Sequence, residues 1–116
     1  MDSRFTVRRT ELTDLDALVE MRIALLREVG NVSGDGGQSE LAGLIEAHRQ
    51  YFQENLATGR YVGFAADMDG TIVGTGGLVV LERPPYQGNL AGLEGYLMNV
   101  YTLPRCRGKG VATAIV

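Results

Sequence analysis

Tyr96-Leu97-Met98-Asn99-Val100-Tyr101-Thr102-Leu103-Pro104-Arg105-Cys106-Arg107-Gly108-Lys109-Gly110-Val111-Ala112 reads as an apolar strand stopped by a proline, a short basic turn with two glycines, and the start of a helix. The first N–H groups of a helix have no intrahelical acceptor, and the helix dipole favours negative charge at that end. A strand feeding a glycine turn at such an end is therefore suited to an anion, above all a phosphate. Arg105, Arg107 and Lys109 crowd the same turn, and no acid lies between Gly95 and Val116. An acidic chain with one basic end suits an anionic small molecule better than a nucleic-acid surface.

The bulk numbers set the frame. At 116 residues, the chain is sized for a single domain, 1–116, or part of one. A hydrophobic content of 45% and a charged content of 22% are those of a globular protein with a core. A net charge of -3 argues against a general nucleic-acid partner. No apolar run is long enough to span a bilayer, and the start Met1-Asp2-Ser3-Arg4 lacks the apolar core of a signal peptide, which predicts no membrane partner. The single cysteine, Cys106, excludes an internal disulfide and fits a reducing cytoplasm. With one His and one Cys, no metal site is expected.

Upstream, Phe5-Thr6-Val7-Arg8-Arg9 alternates as a strand with one buried face. Thr13 with Asp16 three residues on resembles a capping box and predicts a helix from about Asp14 to Val29. Its apolar stripe is Leu15, Leu18, Val19, Leu25, Leu26 and Val29, interrupted by Arg22. Arg22 either snorkels at the stripe's edge or makes a polar contact lining a cleft, and snorkelling is the expectation. Four glycines in Gly30–Gly37 mark a loop that fits no phosphate-binding pattern. Ser39 is the expected N-cap of a second helix, from about Glu40 to Leu56, with Leu41, Leu44, Ile45, His48 and Phe52 on one face. His48 is expected as a partly buried, hydrogen-bonded core residue rather than a catalytic one.

Tyr61–Asp67 and Thr71–Val80 read as strands joined by a hairpin at Met68-Asp69-Gly70. Gly74, Gly76 and Gly77 inside the second strand imply a neighbouring helix, a bulge or a ligand close against its backbone, with packing as the expectation. Residues 82–94 are expected as a long loop.

In this order the chain resembles the GNAT superfamily, which transfers acyl groups from coenzyme A thioesters, usually to amines. Its cofactor-turn signature, R/Q-x-x-G-x-G/A, stands here as Arg107-Gly108-Lys109-Gly110-Val111-Ala112, between a strand and a helix. The resemblance implies an α+β fold with a mixed, mostly antiparallel sheet flanked by helices, in the order β-α-α-β-β-β-α. It covers essentially the whole chain and predicts a single domain truncated on its C-terminal side, since the family continues with further strands and a helix. The implied co-substrate is acetyl-CoA, with its pyrophosphate on Arg107, Gly108, Lys109, Gly110, Val111, Ala112 and Thr113 and its pantetheine arm along Val100, Tyr101 and Thr102. A backbone N–H of that strand would stabilise the oxyanion. Transfer in the family is direct, in a ternary complex, so Cys106 is expected as a turn residue and not as a nucleophile.

For a general base, Glu94 is the best-placed acid and Glu82 the second, although an ordinary surface role is the heavier expectation for both. Tyr96 and Asn99 are the candidates for the acceptor side. The expected partners are acetyl-CoA and an amine acceptor, with room left for a homodimer. The competing expectation is a catalytically incomplete coenzyme A-binding or interaction module.

Overall fold

The computed structural model describes residues 4–30 and 37–116. The elements are β1 (Thr6–Arg9), α1 (Leu15–Glu28), α2 (Gly37–Thr58), β2 (Tyr61–Met68), β3 (Thr71–Glu82), β4 (Leu93–Thr102) and α3 (Val111–Ile115), with 3-10 turns at Leu12–Asp14 and Pro104–Cys106. That is the order expected from the sequence. The strands form one antiparallel sheet in chain order, β1-β2-β3-β4. Asp69 (φ 52) and Gly70 (φ 84) are the two central residues of the β2–β3 turn, both left-handed. That is the type I′ geometry whose twist matches the flanking strands. The Gly30–Gly37 loop expectation falls largely on residues outside those described.

Two apolar clusters sandwich the sheet. Leu15, Leu18, Val19 and Ile23 of α1 pack with Phe52 of α2 on Tyr61 of β2, supported by Leu41, Leu44 and Ile45. Tyr61 and Phe52 meet edge to face at 5.1 Å, and both are almost wholly buried. Such a pair adds about 0.5–1.5 kcal/mol beyond its area. On the other side α3 brings Val111 and Ile115 onto Ala66 and Val73. The glycines of β3 make both approaches feasible. A Cβ on Gly77 would intrude on the Tyr61 ring, and one on Gly74 or Gly76 would meet Val111 or Ile115. Close helix and ring packing is thus the reason for those glycines.

Several local expectations are corrected. The cap of the first helical segment is not Thr13 with Asp16. The Asp14 carboxylate accepts the Glu11 N–H at 2.8 Å and both terminal nitrogens of Arg8 at 2.8 Å. Ser39 lies inside α2, which begins at Gly37, and α2 runs on to Thr58. Val29 falls beyond the end of α1 and is 67% exposed, while Met21 and Ile23 join the buried face. β1 is an edge strand with Val7 exposed, so its buried face is weaker than its alternation suggests. The long loop shrinks to residues 83–92, because Glu82 pairs with Leu93 and Leu81 with Glu94 in the sheet. What remains is itself a small hairpin, with Tyr86 and Asn89 exchanging backbone hydrogen bonds and Asn89 Oδ1 accepting the Gly92 N–H at 3.1 Å.

Two stability predictions follow from this packing. Gly77→Ala should destabilise by about 1–3 kcal/mol, because the buried Tyr61 ring cannot give way. Gly43→Ala, on an α2 position where a Cβ meets nothing within 4 Å, should stabilise by about 0.5–1 kcal/mol; urea unfolding of both checks the contrast. Separately, hydrogen bonds from Arg8 hold the Asp14 carboxyl below its ordinary value of 3.8. A depressed folded-state value means the stabilisation is present above the unfolded value and is lost as pH falls through the folded one. Asp14→Asn should therefore lose about 1–2 kcal/mol at pH 7, a figure that allows for solvent around Arg8, with the two unfolding curves converging in acid.

Candidate functional site

The site is organised by an irregularity in β4. Thr75 pairs with Tyr101 and Gly77 with Met98, so Asn99 and Val100 together oppose the single residue Gly76. This is a β-bulge, one extra residue on one strand. Asn99 carries it with φ 58, a left-handed conformation in which Asn is the commonest residue after Gly. Met98 and Tyr101 stand opposite two residues of the same β3 face, which strict alternation would forbid for positions three apart. Asn99 is pinned on three sides. Its Nδ2 donates to Tyr61 Oη at 3.0 Å, its Oδ1 accepts from Arg22 Nη1 at 2.6 Å, and its backbone oxygen accepts from Thr75 Oγ1 at 3.4 Å. Burial pushes the Tyr61 phenol up, so it stays a neutral hydroxyl that accepts from Asn99.

One cleft, of about 440 Å³, opens where β4 runs into the basic turn. Its walls are the last turn of α1, the end of β4 from Val100 to Thr102, and the turn with the first residues of α3. Gly108 (φ 79) and Gly110 (φ 81) are left-handed, and Gly110 is the N-cap of α3. Both would face open space if given a Cβ, so the turn presents bare backbone to the cleft. Ala114 is the first α3 residue whose N–H returns to the helix, to Gly110 at 3.0 Å. The N–H groups ahead of it are left for an acceptor in the cleft. Of the residues assigned to the cofactor from sequence, Val100, Tyr101, Thr102, Arg107, Gly108, Gly110, Val111, Ala112 and Thr113 line this cleft; Lys109 is exposed and does not.

Arg107 is engaged by the protein. Nε donates to Thr102 O at 2.9 Å, both terminal nitrogens reach Glu28 at 2.7 Å, and the guanidinium lies 5.3 Å from the Tyr101 ring centre. It thereby ties the end of α1 to the end of β4. The guanidinium also holds the Glu28 carboxyl below the usual carboxylate range. Cys106 is buried at 2% exposure in the cluster under α3.

A second cleft, of about 300 Å³, lies among α1, α2 and β4 and is lined by Arg22, His48, Tyr51, Phe52, Met98 and Asn99 with Ala47. His48 Nδ1 is 2.8 Å from Leu44 O, a carbonyl that can only accept. Nδ1 therefore carries the proton, and Nε2 is left to accept from Arg22 Nε at 3.4 Å. The expected partly buried, hydrogen-bonded histidine is found, on a cleft wall. The snorkelling expectation for Arg22 is corrected: its charged end turns inward, onto Asn99 and His48.

The structure brings Asn99 to this cleft but not the other acceptor-side and acid candidates. Tyr96 is 62% exposed and lines neither cleft. Glu94 is five residues before Asn99 on β4, about 17 Å along an extended strand. Its carboxylate braces the loop, 3.4 Å from Tyr86 Oη and 3.7 Å from Arg83 Nε. Glu82, at the end of β3, is exposed. Glu28, Tyr51 and Tyr61 were missed. Glu28 had a signal, an acid at a helix C-terminus where the dipole disfavours it. Tyr61 had none beyond being a strand aromatic.

The two clefts share no lining residue but flank consecutive residues of β4, Asn99 lining one and Val100 the other, on a scaffold found in known proteins. Residues 35–116 match the family model described as Acetyltransferase (GNAT) family. A predicted acetyltransferase from Clostridium acetobutylicum, solved with acetyl-CoA, superposes with a TM-score of 0.79 at 27% identity, covering 97% of this chain and 68% of that one. A GCN5-related N-acetyltransferase from Ralstonia eutropha gives 0.79 at 28% identity, covering 97% and 71%. An aminoglycoside N-acetyltransferase in complex with CoA shares the fold, at 0.71 and 21% identity, over 99% of this chain and 66% of that one. No curated protein matches the sequence significantly. With the family model spanning more than half of its length, and the basic glycine turn of that match lining a cleft at the end of β4, the chain belongs to the GNAT acetyltransferase family.

Proposed function

We propose that this protein moves an acetyl group from acetyl-CoA to a primary amine by direct attack within a ternary complex. The observation that carries the reading is that the two adjacent bulge residues of β4, Asn99 and Val100, each line one of the two clefts. The pyrophosphate sits on the N–H groups of the Gly108–Thr113 segment, where bare backbone and a helix start favour it. The pantetheine arm runs along Val100–Thr102, which places the thioester at the bulge. The amine enters from the cleft of Arg22 and His48. Its lone pair forms the C–N bond, and the carbonyl electrons move onto oxygen. A β4 backbone N–H supports that oxyanion. Collapse breaks the C–S bond, and the coenzyme A thiolate takes up a proton equivalent to the one the amine gives up. Among the described residues no carboxylate lines the amine cleft, so the amine proton leaves through water.

Isothermal titration of the full-length protein with acetyl-CoA tests the cofactor half of this reading. Binding in the micromolar range is expected. Gly110→Val should weaken it about tenfold or more, since a β-branched residue is strained at φ 81 and its side chain enters the cleft. No binding at millimolar acetyl-CoA would sink the proposal. Thiol release over a panel of amines tests the transfer half, and tight binding with no turnover would instead favour a coenzyme A-binding module.

A further inference from the structure

Building on that acyltransfer reading, we infer that the acceptor carries a carboxylate close to its nucleophilic amine, with Arg22 as the anchor for that carboxylate. Arg22 is half-buried and belongs to the wall of the amine cleft. Arg8, Arg49, Arg83 and Arg107 each face an acidic side chain. Arg22 does not: among the described residues its partners are the neutral Asn99 amide, through Nη1, and His48, through Nε. Its other terminal nitrogen, Nη2, makes no hydrogen bond there. A half-buried guanidinium held by neutral groups alone keeps most of its desolvation penalty. An oxyanion arriving with the substrate relieves that penalty and adds a charge-assisted hydrogen bond.

The chemistry of that oxyanion follows from the charge present. His48 is engaged through Nδ1 with Leu44 O and through Nε2 with Arg22, and Arg22 is the arginine that lines this cleft. One positive charge matches a monoanionic carboxylate better than a dianionic phosphate. The position limits the spacing. Nη1 is fixed on Asn99, the residue next to Val100 in the cofactor cleft, so an anion on this guanidinium lies a short reach from the reacting carbonyl. The rest of the lining includes the apolar and aromatic side chains of Tyr51, Phe52 and Met98. The acceptor class is therefore an α- or β-amino acid with an apolar or aromatic side chain.

Matched acceptors test the inference. Thiol release from acetyl-CoA is followed with phenylalanine, phenylalaninamide and O-phosphoethanolamine, on the wild type, Arg22→Gln and Arg22→Lys. Loss of one charge-assisted contact corresponds to about 10- to 100-fold. The wild type should prefer phenylalanine to its amide by that factor in kcat/KM. Arg22→Gln should remove the preference mainly through KM, and Arg22→Lys should retain part of it. Equal use of the acid and the amide by the wild type would overturn the inference, as would preference for the phosphate. An equal loss for both phenylalanine compounds in Arg22→Gln would also overturn it, assigning Arg22 only the support of Asn99. The wild-type comparison stands even if a variant does not fold. Acetyl-CoA titration run in parallel separates the two levels: no binding sinks the acyltransfer reading itself, whereas binding with turnover of the amide but not the acid sinks only this inference.

Discussion

One extra residue in β4 governs how this molecule is put together. Because Asn99 and Val100 share a single partner on β3, the strand changes face in mid-course. Met98 stays with the α1–α2 core, Val100 lines the cleft beside the basic turn, and Tyr101 returns to the side on which Arg107 and Glu28 meet. A left-handed residue in a strand needs over-determination to persist. Here that is supplied by the Tyr61 hydroxyl, the Arg22 guanidinium and the Thr75 hydroxyl. Tyr61 in turn reaches Asn99 only because Gly77 leaves room for its ring.

The same economy of space appears on the other face. Gly74 and Gly76 let Val111 and Ile115 settle on the strand, which fixes where α3 begins and hence where its free N–H groups point. The Arg107–Glu28 pair then ties the end of α1 to the turn across the cleft mouth. Its worth lies less in stability, both groups being solvent-exposed, than in geometry, since a bidentate pair orients both partners. The acidic Glu28 also tempers the positive charge of the turn. Backbone donors and the glycine conformations, more than side-chain charge, distinguish this turn.

Much of the architecture was legible from local pattern. The 3.6-residue stripes gave α1 and α2, the Asp69-Gly70 pair gave the hairpin, and the pattern at Tyr96–Ala112 gave the succession of strand, glycine turn and helix. The errors share a cause. Ser39 as a cap, Val29 as a core residue and 82–94 as a loop rest on local preference alone, and tertiary packing extends or trims each element. Arg22 failed differently. A cation on an apolar stripe usually snorkels, and its inward turn depends on Asn99, 77 residues away in the chain.

By itself the sequence determined the order of elements, the two-glycine turn and the concentration of backbone donors beside it, because these are local properties of backbone and composition. The tertiary structure decided which side chains share a cleft. A bulge cannot be read from a period of two, and the pinning of Asn99 needs partners from α1, β2 and β3. Glu94 illustrates the same limit: near Asn99 in sequence, it is carried away along the strand by the extended rise of each residue.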